Sequence, residues 1–309
     1  MRRLMVFLIS ALIVLGLCSC ELSYQAPAVG KMRILVYGNS YQYGSKIYNS
    51  SGELMPSSTA AVLTKTVNDA NQVGRAFSAL AEKAGMEYEI RYLTELSDVT
   101  DTRLVEELQA LAAASSEKDV TVFYYSGHGL GVNKKVDYGS DTSVLSYIVP
   151  RYSEHPDSSV LVPVSDLLSY IDAIRGIKVV IGDFCYSGSL VQSNYFSVTS
   201  GEYNFMQPVT LFAEYRSDIR EDSSLFCLSA SRYFEKSYER VPLHGNFTQA
   251  LLNALGWDEE HQVLTEAEAV KDGMITLSEL YRYITAHDGE SLQTPMLSGG
   301  SNDIILFSF

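Results

Sequence analysis

The chain of 309 residues has few of the features that mark specialised protein classes. It contains four cysteines, too few for a disulfide scaffold of this length. Lys and Arg number 23 against 37 Asp and Glu, so the formal net charge is −14. That balance argues against a general nucleic-acid binder, which needs basic surface to replace counterions. After the N-terminal segment no run reaches 18 apolar residues, which argues against a further membrane span.

The composition is that of a globular protein. Apolar residues make up 46% of the chain and charged residues 19%, enough apolar side chain to offset the entropy of ordering the backbone. The length permits one large domain or two small ones. We find no internal repeat, no low-complexity tract and no glycine-rich phosphate loop after the first predicted strand.

Residues 1–20 have the pattern of a targeting segment. Arg2 and Arg3 precede an apolar run over 4–17, which is short for a membrane span and ends in small residues. The letters LCSC at 17–20 resemble a bacterial lipobox, which implies cleavage before Cys20 and acylation of its thiol. An ordinary secretory peptide cut nearby is the alternative. Both readings predict an extracytoplasmic protein, and the lipobox implies a lipid anchor in the bacterial cell envelope.

We therefore expect a signal peptide over 1–19, a short tether over 20–31 and a domain over 32–309. Short β-branched runs in this domain alternate with helical spacing, which predicts an α/β fold with a mainly parallel sheet covered on both faces. Strands are predicted over 33–37, 87–92, 120–125, 146–149, 178–182, 225–229 and 304–307. Helices are predicted over 66–84, 102–114 (with Asp101 as N-cap), 164–174, 246–255 and 277–286. The stretches 130–146 and 187–224 are predicted to be long irregular loops.

Two predicted strands run directly into residues that can carry chemistry. One ends in SGHG at 126–129 and the other in DFCYSG at 183–188, which contain His128 and Cys185. Ligands collect at the carboxyl ends of parallel strands, so neighbouring strands would bring this thiol and this imidazole together. An imidazole can activate a thiol as a nucleophile. The glycines let a substrate approach, and the amides of Gly129 and Cys185 are candidates to hold an oxyanion.

Each residue alone also has a structural explanation, since a single Cys at a strand end is usually a small buried apolar residue. The pair, with its glycines, favours catalysis. His128 precedes Cys185 by 57 residues, close to the caspase spacing of about 50 residues.

With these segments the sequence resembles the caspase-like cysteine peptidases of family C14, and among them the bacterial metacaspase-type proteins. The resemblance rests on eight segments in order: ILVYG 34–38, VNDA 67–70, YYSGHG 124–129, YIVP 147–150, DFCYSG 183–188, LSAS 228–231, GNFT 245–248 and QTP 293–295. It implies a three-layer α/β sandwich with about six mainly parallel strands. It also implies that Cys185 is the nucleophile and His128 its dyad partner. Tyr186 departs from the family, which often has a second histidine there.

The resemblance further implies a primary specificity pocket lined by Asp69, Asp183 and Ser229. Two carboxylates in such a pocket would repel an aspartate side chain and pair with a cation, so we expect cleavage after Arg or Lys. The alternative is that Asp69 caps or decorates its helix while Asp183 holds a loop.

A cysteine endopeptidase acting on peptides or proteins is therefore the leading function, with no cofactor required and no nucleic acid bound. The alternative is a catalytically silent caspase-like domain that binds partners at the cell surface.

Arg216 and Arg220 lie where related enzymes are processed and are candidate self-processing sites. Residues 268–279 imitate an EF-hand loop poorly, so we name no metal ligand and leave activation by calcium open.

Overall fold

The computed structural model describes residues 30–41, 45–48, 54–60, 63–95, 97–135, 142–150, 161–192, 225–266, 273–288, 293–298 and 304–309. The strands are β1 Met32–Gly38, β2 Ser45–Tyr48, β3 Leu54–Ala60, β4 Tyr88–Leu93, β5 Val120–Ser126, β6 Gly129–Lys135, β7 Thr142–Ile148, β8 Val162–Pro163, β9 Ile177–Asp183, β10 Leu225–Ser229, β11 Trp257–Asp258, β12 Val263–Leu264, β13 Met274–Thr276, β14 Met296–Ser298 and β15 Ile305–Ser308. The helices are α1 Thr66–Lys83, α2 Asp101–Ala114, α3 Val164–Asp172, α4 Ser189–Gln192, α5 Asn246–Ala254 and α6 Leu277–His287.

The central sheet has six strands in the order β14-β10-β9-β5-β1-β4. All its neighbouring pairs run parallel except β10 with β14, which is antiparallel. The central strands β1 and β5 are buried along their whole length, which explains why they read as continuous apolar runs in the sequence. The predicted α/β class with a mainly parallel sheet is confirmed.

Two apolar cores lie on opposite faces of this sheet, because successive side chains of a strand point to opposite sides. Tyr124 of β5 packs with residues of α1, α5 and α6, and we call this side the α1 face. Its neighbour Tyr125 packs with residues of α2 and α3, and we call that side the α2 face. The three layers expected from the sequence are therefore present.

Several boundaries differ from the sequence-based predictions. β7 pairs with β6 and β8 in a small antiparallel sheet and β15 pairs with β13, so neither joins the central sheet. The sixth central strand is β14, which is too short to give a periodic pattern. Much of the predicted loop 130–146 forms the β6–β7 hairpin. Thr100, whose hydroxyl accepts from the Arg103 amide, is the N-cap of α2, and the proposed cap Asp101 is its first helical residue.

Other sequence predictions lie outside the described residues. These are the signal peptide, Cys20, most of the tether, and the segment 193–224 with Arg216 and Arg220. Among the helices that the structure describes, none has both the length and the apolar character needed to cross a bilayer.

Candidate active site

The parallel register of β5 and β9 brings the two chemistry-bearing segments together. Ser126 pairs with Asp183 at the ends of these strands, and His128 and Cys185 each follow two residues later. The Gly127 amide donates to the Asp183 carbonyl at 3.3 Å. A Cβ built on Gly129 would lie 1.9 Å from the Cys185 carbonyl oxygen, so only glycine allows this approach. The two turns are thus in direct contact, as the sequence predicted for neighbouring strands.

The Cys185 side chain is partly exposed and lies beneath the loop that follows β10. Its thiol donates to the Ser237 carbonyl at 3.8 Å. Burial raises the pKa of Cys185, against the smaller opposing effects of this hydrogen bond and of Lys236, so the resting group is a thiol. A nucleophilic role therefore needs a base at the moment of attack.

The residue after the cysteine makes an abrupt turn. Tyr186 has a φ of 66°, a left-handed conformation that a bulky residue adopts only when its surroundings hold it there. Its amide donates to the Glu235 carbonyl at 2.7 Å. The Tyr186 ring lies against Gly131 of β6, where a Cβ would come within 2.9 Å of the ring. These contacts fix the turn that carries Cys185.

The backbone of His128 is also held firmly. Its carbonyl accepts from the Val149 amide at 3.1 Å and from the Tyr125 hydroxyl at 2.9 Å. In the β6–β7 ladder this Val149 bond places Gly129 opposite Ile148 at a non-hydrogen-bonded position. The Gly129 amide consequently points away from β7, which suits a donor to a developing oxyanion.

Asp69 is fully buried on the inner side of α1. Its carboxylate accepts from the Ser126 hydroxyl at 2.9 Å, from the Gly245 amide at 3.3 Å and from the His244 ring, whose Nδ1 lies 2.7 Å away. The cap at Lys65 uses no side-chain hydrogen bond, so Asp69 does not cap its helix. It joins α1 to the end of β5 and to the loop before α5.

Asp183 is the register partner of Ser126 and therefore lies on the same face of the sheet. Oδ1 accepts from the Ser237 hydroxyl at 2.5 Å, and Oδ2 accepts from both the Thr248 amide (3.2 Å) and the Thr248 hydroxyl (2.6 Å). Burial, and next the charge of Asp69, raise the pKa of Asp183 to about 6. These bonds connect Asp183 to the loop after β10 and to the N-terminus of α5.

A third carboxyl group, that of Glu239, lies near these two. Burial and the charges of Asp69 and Asp183 raise the pKa of Glu239 to about 7, with Lys65 opposing the shift. Its Oε1 atom is buried without a hydrogen-bond partner among the described residues. Lys65 does not pair with it directly but donates to the backbone carbonyls of Glu239 and Val241. A buried carboxylate oxygen in this state is an acceptor that a cation could satisfy.

His244, to which the sequence assigned no role, proves to be fully buried between two carboxylates. Nδ1 lies 2.7 Å from Asp69 Oδ1, and Nε2 lies 2.7 Å from Glu259 Oε2. Burial alone would lower the pKa of His244, but the hydrogen bonds and charges of Asp69 and Glu259 outweigh it and raise the pKa. Asp69 is 175 residues away in sequence, so no local pattern could have revealed this contact.

Ser229, the third predicted pocket residue, does not point to the same face of the sheet as Asp183. It pairs with Gly182, one position before Asp183, so its side chain leaves the strand toward the α2 face. Its buried hydroxyl donates to the Ser231 carbonyl at 3.2 Å. Ser126 is the serine whose hydroxyl bonds Asp69.

Metal binding was left open by the sequence. In the described ranges no group of three or more His, Cys, Asp or Glu side chains could hold a metal ion. Glu279, the last position of the imperfect EF-hand pattern, is engaged in a capping box with Thr276 at the start of α6.

Comparison with known proteins gives one family and a set of related folds. A family model described as the caspase domain matches residues 35–297. A protein from Geobacter sulfurreducens has a similar structure, with a TM-score of 0.51 and 17% identity over 88% of this chain and 95% of that chain. Caspase-1 from Spodoptera frugiperda is also similar, with a TM-score of 0.51 and 13% identity over 92% and 94% of the two chains. At these low identities, the structural similarity shows a shared fold and nothing more. No curated protein sequence gives a significant match.

The position of His244 predicts a pH-dependent stability. A histidine whose pKa is raised by folding contributes stability that is complete below its unfolded pKa of about 6.5 and is lost as the pH rises through the folded value. His244→Gln should lower the free energy of unfolding by about 3 kcal/mol or more at pH 6, because two carboxylates lose a buried charged partner. The loss should be smaller at pH 9. Urea denaturation at both pH values measures it.

His261→Gln is the matched control. This histidine also lies 2.8 Å from a carboxylate, that of Asp258, but its side chain is 67% exposed. Its substitution should change stability by less than about 1 kcal/mol at either pH. An equal loss for His244→Gln at pH 6 and pH 9 would show that the imidazole acts there only as a neutral group.

Proposed function

The chain belongs to the caspase domain family of cysteine peptidases, and from this membership we propose that it is an endopeptidase with Cys185 as nucleophile and His128 as its acid–base partner. The observation that carries the proposal is the contact between Gly129 and the Cys185 carbonyl. It joins the turn that bears the imidazole to the turn that bears the thiol.

In the proposed reaction, His128 takes the proton of the Cys185 thiol as the sulfur attacks the carbonyl carbon of the scissile bond. The oxyanion that forms accepts hydrogen bonds from the backbone amides of Gly129 and Cys185. His128 then gives its proton to the leaving amine, and a thioester remains on Cys185. Water, deprotonated by His128, hydrolyses the thioester and restores the thiol.

We propose that the enzyme cleaves after Arg or Lys. The support is the group of carboxylates on the α1 face at the ends of β5 and β9. Asp69 and Asp183 are each satisfied by protein donors, but their charges act on Glu239, whose buried Oε1 atom has no partner among the described residues. A substrate guanidinium or ammonium would satisfy that oxygen, whereas an aspartate side chain would be repelled. Glu239 therefore joins Asp69 and Asp183 as a proposed specificity residue.

We further propose that the protein acts outside the cytoplasm as a lipid-anchored envelope protein. The support is the sequence pattern that ends in Cys20, since the residues concerned lie outside those described. Its partners are then peptide or protein substrates near the membrane surface.

The first test uses residues 21–309 beside a Cys185→Ala variant. Peptides with Arg, Lys, Asp or the neutral arginine isostere citrulline before the cut should be hydrolysed in the order Arg or Lys first and Asp last. Hydrolysis should be lost in Cys185→Ala. Parallel assays with added calcium and with a chelator decide whether calcium activates. Initial rates of release of a fluorogenic group give kcat and KM.

Two results would contradict this proposal in different ways. Preference for Asp over Arg would remove the carboxylate pocket but leave the peptidase. A folded protein that hydrolyses none of the peptides in either metal condition would favour the silent binding domain.

The carboxylate group also predicts how specificity changes with pH. Asp183 and Glu239 have pKa values of about 6 and about 7, so their charges are lost as the pH falls from 8 to 5.5. The preference for Arg over citrulline should fall over the same range. At pH 8, Glu239→Gln should lower kcat/KM for the Arg peptide about tenfold or more, mainly through KM, because a hydrogen bond between charged groups contributes about 1.5–3 kcal/mol.

The control for this substitution is Glu260→Gln, in the exposed turn between β11 and β12. It should leave the ratio of Arg to citrulline hydrolysis unchanged. A ratio that is flat with pH in the wild type would show that these carboxylates do not contact the substrate.

Lipid anchoring is tested on the full chain expressed in bacteria. The wild-type protein should sediment with membranes, and mass spectrometry should find acyl chains on an N-terminal Cys20. Cys20→Ser should abolish acylation, while Cys18→Ser should have little effect. A wild-type protein that is released without acylation would support the alternative of an ordinary secretory peptide.

A further inference from the structure

Tyr41 lies at the end of the segment that follows β1. It is almost fully buried and has a φ of 48°. Its amide donates to Asn39 Oδ1 at 3.0 Å, and the Asn39 side-chain amide donates to the Pro150 carbonyl at 2.9 Å. A bulky residue in the left-handed region is costly unless its surroundings enforce it. Here the Asn39 bridge supplies that constraint.

The Tyr41 hydroxyl reaches the backbone of His128. It accepts a hydrogen bond from the His128 amide at 3.0 Å and donates to the Val149 carbonyl. The Tyr125 hydroxyl lies 3.2 Å from it and donates to the His128 carbonyl at 2.9 Å. Two buried phenols thus hold the amide and the carbonyl of the same residue. Burial raises the pKa of Tyr41 well above its usual range, so this hydroxyl stays protonated.

The Tyr41 ring covers the imidazole as well. The two ring centroids are 4.4 Å apart and the ring planes are inclined by 51°. His128 is flanked by Gly127 and Gly129, and glycine leaves a backbone free to move unless other contacts restrain it. A Cβ on Gly127 would come within 2.8 Å of the Tyr41 hydroxyl, so this phenol occupies the space that the glycine leaves.

We propose that Tyr41 is a positioning residue for His128, with its hydroxyl fixing the backbone and its ring fixing the plane of the imidazole. This inference rests on the proposed peptidase function in one respect: a fixed imidazole is useful because His128 is proposed to take the proton from the Cys185 thiol. Tyr41 itself takes no part in the proton transfers, because its hydroxyl is bonded to the His128 amide and the Val149 carbonyl. Misplacement of a catalytic group by about 1 Å can cost about a hundredfold in rate, so a residue with this task should affect kcat more than KM.

Two substitutions separate the two contacts. Tyr41→Phe removes the hydroxyl and keeps the ring, and it should lower kcat about tenfold. Tyr41→Leu removes both, and it should lower kcat about a hundredfold. KM for the preferred peptide should stay within about twofold in both. The profile of kcat/KM against pH should also change, because the environment of the imidazole changes.

Tyr37→Phe is the matched control. Tyr37 is another buried tyrosine, four residues earlier in β1, and its hydroxyl donates to the Pro150 carbonyl. Its loss should cost stability comparable to that of Tyr41→Phe but leave kcat and the pH profile within about twofold of the wild type. An equal decrease of kcat in Tyr37→Phe and Tyr41→Phe would overturn the proposal, because the effect would then be general loosening of the turn.

A spectroscopic measurement tests the inference without any activity. In protein labelled with ¹³C-histidine, the ring signals of His128 are assigned by comparison with His128→Gln. The Tyr41 ring should shift these signals by its ring current, and the shift should be lost in Tyr41→Leu but kept in Tyr41→Phe and Tyr37→Phe. Unchanged His128 signals in a folded Tyr41→Leu protein would overturn the proposal. If the wild type hydrolyses no peptide, the peptidase function fails while this result still decides the contact.

Discussion

The parallel pairing of β5 with β9 at the centre of the sheet is the constraint on which the site depends. Because Ser126 is in register with Asp183, the chain leaves both strands at the same height, and the turns that carry His128 and Cys185 meet there. The contact tolerates no side chain on Gly129. A shift of the register by one residue would move every side chain of β5 to the opposite face and separate the two turns. Tyr124 and Tyr125 pack in the cores on opposite faces of the sheet, so such a shift would move each of them to the other core.

Burying several carboxyl groups near these strand ends is costly, and the structure compensates for it unevenly. Asp183 is satisfied by three hydrogen bonds from Ser237 and Thr248. Asp69 is paired with His244, which Glu259 holds from its other side. Glu239 is the exception, because one of its oxygens is buried without a partner among the described residues. A folded protein keeps a buried carboxyl oxygen without a partner when other interactions hold the side chain in place. The negative charges of Asp69 and Asp183 then favour binding of a cation beside Glu239.

The sequence predicted the central sheet well because its strands are long and buried. It also predicted that the segments of His128 and Cys185 would meet, because the rule for parallel sheets needs only strand order and strand ends. It missed β14, which has three residues and pairs antiparallel at the edge. It also missed His244, Glu239 and Tyr41, which lie outside the helices and strands, where there is no periodic signal, and which interact with residues distant in sequence. Among the serines it selected Ser229, although side-chain alternation along the paired strands puts Ser126 on the same face as Asp183.

The end of β5 connects the carboxylate group to the proposed acid–base residue through three consecutive residues. Ser126 points to the α1 face and bonds Asp69, so its position depends on the carboxylate group. His128 lies beside Tyr41 and is anchored by Tyr125, whose ring packs in the core of the α2 face. Gly127 between them donates to the Asp183 carbonyl, and its missing side chain leaves room for the two phenols. The bond between Ser126 and Asp69 therefore connects the carboxylate group to a backbone that Tyr41 and Tyr125 hold at His128. If the chain is a peptidase as proposed, the same strand end that bonds a specificity carboxylate through Ser126 also fixes the backbone of the proposed acid–base residue two positions later.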